Sequence, residues 1–71
     1  MIDNYENLAN AIVLQAVRDY RIAKKILLNN SKNTDARRLK NEVVRFFKSE
    51  WFKELVSIDG EKLLNDLEEE I

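Results

Sequence analysis

The sequence predicts an all-α fold, a small bundle of three to four helices with a long first helix and a short aromatic third helix. Three observations indicate this class: the chain has no proline, it has one glycine, and its apolar residues recur every three or four positions. Proline and glycine are the residues that disfavour helices most, and this spacing aligns apolar side chains on one helix face. We expect the 71 residues to form a single helical domain, residues 1–71.

The first helix is predicted to begin near Asp3 or Asn4. Asp3 and Glu6 have the spacing of a capping box, whose side chains bond free backbone N–H groups of the first turn. An apolar stripe follows at helical spacing: Tyr5, Leu8, Ala9, Ile12, Ala16, Tyr20, Ala23 and Leu27. Leu14 and Val17 fall outside this stripe, so we expect the helix to have more than one packing partner.

Polar residues mark the remaining helix boundaries. The segment NNSKN at 29–33 predicts a turn, because Asn and Ser side chains compete for backbone hydrogen bonds. Thr34 is the predicted N-cap of a second, amphipathic helix. Ser49 either caps a short third helix or merely interrupts a continuous one. Asp59 is the predicted cap of the last helix, and Gly60 permits a tight turn into it.

Charge is distributed unevenly along a chain whose net charge is −1. Residues 18–48 contain ten Lys or Arg against three acids, a balance of +7, whereas residues 49–71 contain eight acids against two lysines, a balance of −6. Such a dipolar surface steers partners or favours antiparallel self-association. The three consecutive glutamates at 68–70 repel one another at the negative end of the last helix dipole, so we expect that end to fray.

Composition argues against most enzyme chemistry. The chain has no His and no Cys, the side chains most used as bases, nucleophiles and transition-metal ligands. We therefore expect a protein that is not an enzyme, binds no cofactor or metal and takes no small-molecule substrate. No apolar run approaches the roughly 18 residues of a membrane span, and MIDNYEN has no secretory-signal pattern. We expect a cytoplasmic protein without membrane contacts.

Four of the six aromatic residues lie in FFKSEWF, residues 46–52. Large rings bury the most area per residue, so this segment is expected to organise the core or a contact surface. Adjacent positions differ by about 100° around a helix, so the four rings cannot all face one direction. Either most of them fill the core, or one or two, Trp51 and Phe47 first, stay exposed as anchors for a partner.

The predicted protein interface combines aromatic residues with positions on the first helix: Phe47, Trp51, Phe52, Val17 and Asp19. Asp19 lies at the margin of the apolar stripe, where a charge is costly unless it is paired. One interpretation is a buried or half-buried ion pair between Asp19 and an arginine of the second helix. The other is a polar contact between Asp19 and a partner.

Nucleic-acid binding is the alternative function, through a basic face within residues 24–48. Seven cationic side chains form that predicted face: Lys24, Lys25, Lys32, Arg37, Arg38, Arg45 and Lys48. Clustered cations bind phosphates. Against this, the chain is acidic overall, and the turn lacks the glycine found in many helix-turn-helix units. The other interpretation of these residues is a solvated helix face.

Three stretches resemble a family of short proteins encoded by phages, prophages and mobile elements of Gram-positive bacteria: NAIVLQAVRDYR at 10–21, FFKSEWF at 46–52 and IDGEKLLNDL at 58–67. In that family they correspond to a long first helix, an aromatic FF(R/K)S(D/E)WF segment and a DGE start of the last helix. Asn65 and Asp66 replace residues that are more often basic there. The family has no activity to carry over; the resemblance implies a small accessory protein inside a bacterial cell.

These observations favour a non-enzymatic protein-binding module. We expect it to self-associate and to inhibit or regulate a host protein, for example one of host defence. The concentration of aromatic residues, the two-sided first helix and the absence of catalytic side chains support this hypothesis.

Overall fold

Four helices make up the part of the chain that the structure, a computed structural model, describes: the backbone of residues 4–70 and the side chains of residues 7–70. They are α1 (Asn4–Asn29), α2 (Thr34–Phe47), α3 (Glu50–Leu55) and α4 (Gly60–Glu69). The predicted all-α bundle, with its long first helix and short aromatic third helix, is confirmed. The predicted cap Asp3 lies outside the described residues.

The core lies where α1 and α2 meet, and α4 closes one side of this pair. Its buried residues come from all four helices: Val13, Ala16, Tyr20, Val43, Phe47, Phe52, Leu64 and Leu67. On α1, the buried Ala9, Ala16 and Ala23 recur every seven residues. Small side chains at these positions leave room for larger neighbours, so the helices approach closely.

The start of α2 differs by one residue from the prediction. Asn33, rather than Thr34, is the N-cap, and its Oδ1 accepts a hydrogen bond from the Ala36 backbone N–H at 2.9 Å. Thr34 is the first residue of the helix. Asn caps helices at least as well as Thr, so residue preference alone does not separate the two adjacent positions.

Asp59 caps α4 as predicted, because its Oδ1 accepts hydrogen bonds from the backbone N–H groups of Glu61 at 3.0 Å and Lys62 at 3.2 Å. Gly60 serves a different purpose from the one expected. Its φ is not positive, but a Cβ built at this position would lie 2.2 Å from the carbonyl oxygen of Phe47. Any side chain there would therefore push the start of α4 away from the end of α2.

The far end of α4 is held against α1 by contacts that oppose the fraying expected of the terminal glutamates. Lys24 Nζ donates to the backbone carbonyls of Leu67 at 2.8 Å and Glu68 at 2.6 Å, and also to that of Glu70. Arg21 makes two parallel bonds to the Glu70 carboxylate, Nε–Oε1 at 2.9 Å and Nη2–Oε2 at 2.8 Å. Cations at the negative end of a helix also offset its dipole.

Tyr20 and Lys40 complete this attachment. The Tyr20 hydroxyl donates to Glu68 Oε1, and Lys40 Nζ lies 3.6 Å from the same oxygen. The hydrogen bond from Tyr20 lowers the pKa of Glu68, and the one from Arg21 lowers the pKa of Glu70. Burial, followed by the bond to Glu68, raises the pKa of Tyr20. We call this set of contacts the α4 clamp: Tyr20, Arg21, Lys24, Lys40, Glu68 and Glu70.

Candidate protein-binding surface

The aromatic segment 46–52 divides into a buried pair and an exposed edge. Phe47 and Phe52 are buried, and their rings meet edge to face with 5.1 Å between centres. Phe46 is half-buried, and its ring centre lies 5.5 Å from that of Trp51. Trp51 is 56% exposed. As their positions on the helix predict, the four rings do not all face the core.

Ser49 produces this division by separating α2 from α3. Its Oγ accepts a hydrogen bond from the Phe52 backbone N–H at 3.1 Å and donates one to the Phe46 carbonyl at 2.7 Å. In a continuous helix, positions 46 and 51 would point about 140° apart. The break brings the Phe46 and Trp51 rings together instead, at an interplanar angle of 68°. Ser49 therefore caps a separate helix and does not merely interrupt one.

The structure places the five predicted interface residues in different environments. Phe47 is 2% exposed and Phe52 is 1% exposed, so the expectation that Phe47 is a surface anchor is wrong, and Phe52 also belongs to the core. Val17 is half-buried and packs against the core cluster. Trp51 is exposed and Asp19 half-buried, and these two lie on the same side of the molecule.

A shallow groove of about 330 Å³ runs between α1 and α2 and reaches Trp51. Its lining consists of Ile12, Gln15, Ala16, Asp19, Leu39, Glu42, Val43, Phe46 and Trp51. Ala16 and Val43 are buried at its base, whereas Glu42 is exposed at its edge. No residue of α4 lines the groove. It is therefore an apolar depression with acidic side chains beside it, on the side of α1 that α4 leaves bare.

Asp19 does not make the ion pair that the sequence suggested. Its Oδ1 accepts a hydrogen bond from Gln15 Nε2 at 2.9 Å, one turn earlier in α1. Among the side chains that the structure describes, no Lys or Arg forms a salt bridge with Asp19. Arg37, Arg38 and Arg45 line a different depression, which has only Glu42 in common with the groove. The groove therefore retains a carboxylate whose charge no described cation balances.

A row of side chains, apolar at both ends and polar in the middle, extends the groove along α1. Its members follow spacings of four and three residues, which places them on one line of the helix surface. We call this row the open stripe: Leu8, Ile12, Gln15, Asp19, Ile22 and Ile26. Leu8 is 59% exposed and Ile22 is 52% exposed. Sequence reasoning placed Leu8 on the core side and missed the stripe, although its regular spacing is visible in the sequence.

The predicted basic face is not one continuous surface. Arg37, Arg38 and Arg45 share a depression on the outer face of α2. Lys24 is engaged in the α4 clamp, and Lys48 lies in a separate depression on the α4 side.

The two other cations of that set do not line the depression that the three arginines share. Lys25 borders a third depression, which it shares with Leu28 and Glu70. Lys32 is exposed in the turn between α1 and α2. Of the seven predicted cations, the three arginines of α2 share one depression, and Lys24 and Lys25 share another.

The described residues contain no cluster of three or more acidic side chains arranged to hold a metal ion. None of the helices in this part of the chain combines the length and apolar character needed to cross a membrane. The chain matches no protein-family model, no curated protein and no solved structure. The fold and the surface define the protein as a small all-α bundle with one open, partly apolar side.

Proposed function

We propose that the protein is a non-enzymatic protein-binding module that self-associates and regulates a host protein inside a bacterial cell. The observation that carries this proposal is the placement of Trp51, 56% exposed at the end of an apolar groove. Trp is the residue type most enriched among side chains that dominate binding free energy. The cellular context rests on the resemblance to short phage and mobile-element proteins alone.

Trp51 is supported from below. The Phe46 ring contacts it at 5.5 Å between centres, and Phe46 in turn packs on the buried Phe52 at 5.4 Å. A ring held in this way loses little conformational entropy when a partner covers it. Carboxylates beside the groove, such as Asp19 and Glu42, favour a partner whose apolar residues are flanked by cations.

Four of the exposed large apolar side chains lie on the side of the molecule that carries the groove. Seven large apolar side chains of the described residues are more than a third exposed: Leu8, Leu14, Ile22, Ile26, Leu28, Trp51 and Ile58. Three of these belong to the open stripe, and Trp51 lines the groove that the stripe borders. Scattered apolar residues are normal on a protein surface, whereas contiguous ones are typical of interaction sites.

Affinity capture from an extract of a Gram-positive host tests this function. The bait proteins are the wild type, Trp51→Ala and the control Ile58→Ala, whose side chain is 49% exposed but lies outside the groove. We expect Trp51→Ala to lose a partner that the other two retain, with all three showing the same helical circular dichroism. With purified partner, the loss should reach about 2 kcal/mol, or about thirtyfold in Kd. Equal retention by Trp51→Ala would contradict the proposal.

Nucleic-acid binding is a second candidate, because Arg37, Arg38 and Arg45 share one depression on α2. It predicts binding that weakens steeply with added salt and with Arg37→Glu plus Arg38→Glu. The matched control is Lys53→Glu plus Lys62→Glu, two exposed cations outside that depression. An electrophoretic shift assay with single- and double-stranded DNA and RNA measures this, and the absence of a shift at low salt removes the candidate.

A further inference from the structure

We infer that a second copy of the chain covers the open side, with its α1 packed antiparallel on the α1 of the first copy along the open stripe. The inference rests on the proposed protein-binding function and specifies both the partner and the register of the contact.

The open stripe can pair with the same stripe of a second copy that runs in the opposite direction. Suppose that two copies of α1 run antiparallel and cross midway between residues 15 and 19. The facing pairs between copies are then Leu8 with Ile26, Ile12 with Ile22, and Gln15 with Asp19. A twofold dimer requires this property, because each contact between residues i and j recurs as a contact between j and i. The symmetry extends to residue type, because aliphatic residues stand at the four outer positions of the stripe and polar residues at the two central ones.

The spacing of the stripe is that of a helix–helix seam. Its residues follow one another at intervals of four, three, four, three and four, the heptad pattern by which two helices interlock. From residue 8 to residue 26 the seam is about 27 Å long at the rise of an α-helix. Two apolar layers at each end of this seam enclose two polar layers in the middle, which the twofold axis relates to each other.

The polar layers in the middle of the seam provide partners for the Asp19 carboxylate. In the single chain, Asp19 accepts a hydrogen bond only from Gln15 among the described side chains. In the antiparallel pair, each Asp19 faces Gln15 of the other copy, and Arg18 of that copy lies about 4.5 Å away along the helix axis. Two Arg18 and two Asp19 then balance at the twofold axis. Polar layers in the middle of an apolar seam fix orientation and register.

The groove and Trp51 lie within this contact. Ile12, Gln15 and Asp19 belong both to the open stripe and to the lining of the groove, so a helix seated on the stripe also covers the α1 side of the groove. Trp51 lines the groove together with Ile12, and Ile12 faces Ile22 of the second copy. The indole therefore borders the C-terminal half of the second α1.

Disulfide trapping tests the register, because the chain has no cysteine of its own. Leu8→Cys and Ile26→Cys are prepared separately, mixed and oxidised. We expect the mixed disulfide between them to form faster than either homodisulfide. A parallel seam would give homodisulfides instead. Leu28→Cys, on another line of α1 and 74% exposed, is the control and should give no preferred product with Leu8→Cys.

Sedimentation equilibrium tests the dimer with two matched variants. Ile22 and Leu14 are 52% and 49% exposed on the same helix, but only Ile22 belongs to the open stripe. We expect a dimeric wild type, a dimeric Leu14→Glu and a monomeric Ile22→Glu, all with the same helical circular dichroism. Variants with single charges on exposed positions should still fold, so the comparison reports association.

Three outcomes overturn the inference: a wild type that stays monomeric at its highest soluble concentration, equal dimerisation by Ile22→Glu and Leu14→Glu, or a preference for the homodisulfides. The proposed function fails separately. A monomer whose capture of a host protein depends on Trp51 overturns the dimer and leaves the binding module standing. A dimer that shows the expected mixed disulfide supports the inference even when no host protein is captured.

Discussion

The two sides of α1 differ in how far the rest of the chain covers them. On the closed side, α4 packs against the helix, and the α4 clamp pairs Tyr20, Arg21 and Lys24 with the end of α4. On the open side, Leu8 and Ile22 remain more than half exposed. One side of this long helix is thus covered by α4, and the other side remains exposed.

The difference separates stability from association. On the closed side, Tyr20 is buried and Arg21 and Lys24 are bonded to the end of α4, so substitutions of these residues should change the free energy of unfolding. Side chains of the open side make few internal contacts, so substitutions there should change binding while the fold persists. The aromatic segment follows the same division, because Phe47 and Phe52 lie on the α4 side and Trp51 lies on the groove side.

The largest contrast should lie between Phe47 and Trp51. We expect Phe47→Ala to lower the free energy of unfolding by about 3–5 kcal/mol, because it empties a buried ring site. Trp51→Ala should lower it by less than about 1 kcal/mol, as for most surface substitutions. Urea unfolding followed by circular dichroism measures both. If Phe47→Ala does not fold, Phe47→Leu provides a measurable intermediate loss. Equal losses for Phe47 and Trp51 would remove the distinction between the two sides.

Gly60 tests how tightly α4 closes its side. Gly60→Ala should cost about 1–3 kcal/mol, because the new methyl group overlaps the Phe47 carbonyl oxygen and forces a backbone shift. Asn65→Ala, at an exposed position of α4, is the control and should change the free energy of unfolding by no more than about 0.5 kcal/mol. A Gly60→Ala protein as stable as the wild type would mean that α4 adjusts freely.

Lys24 tests the contribution of the α4 clamp. Lys24→Met should lower the free energy of unfolding by about 1–2 kcal/mol, since it removes the hydrogen bonds to the last carbonyls of α4. Lys25→Met removes the same charge from the neighbouring, exposed position and should cost less than about 0.5 kcal/mol. Thermal unfolding of the two variants measures the difference. Indistinguishable midpoints would show that the clamp adds nothing to closure.

The smallest expected effect is a dependence of stability on pH. Glu68 and Glu70 have lowered pKa values in the folded chain, so folding favours their ionised forms. Their contribution is complete above the unfolded pKa of about 4.3 and is lost as the pH falls through the folded pKa. Unfolding midpoints measured from about pH 6 downward should therefore decline, and Glu68→Gln should flatten that decline. Glu54→Gln, at an exposed position of α3, should leave it unchanged.

Local signals in the sequence predict the helices well. Helical spacing and the cap at Asp59 depend on residues a few positions apart, so a single sequence contains them. The choice between Asn33 and Thr34 depends on one residue of register, and both residue types are good caps. A polar N-cap for α2 was therefore predicted correctly, but it was placed one residue too late in the chain.

Contacts between distant residues could not be predicted in the same way. Arg21 and Glu70 are 49 residues apart, and no periodicity links them, so the acidic end of α4 was expected to fray. The exposure of Trp51 rather than Phe47 depends on the direction the chain takes after Ser49. One of the two interpretations of Asp19 gave it an arginine of α2 as its partner, whereas the carboxylate accepts a hydrogen bond from Gln15, four residues away in its own helix.

The position of Trp51 also makes the protein its own optical reporter. The chain contains one tryptophan, so all indole emission arises from the edge of the groove. An indole that passes from water into an apolar contact emits at shorter wavelength. A blue shift on raising the protein concentration or adding a partner would therefore register occupancy of the open side. Loosening of α4 on the opposite side would leave the emission colour nearly constant, so one unlabelled sample separates the two events.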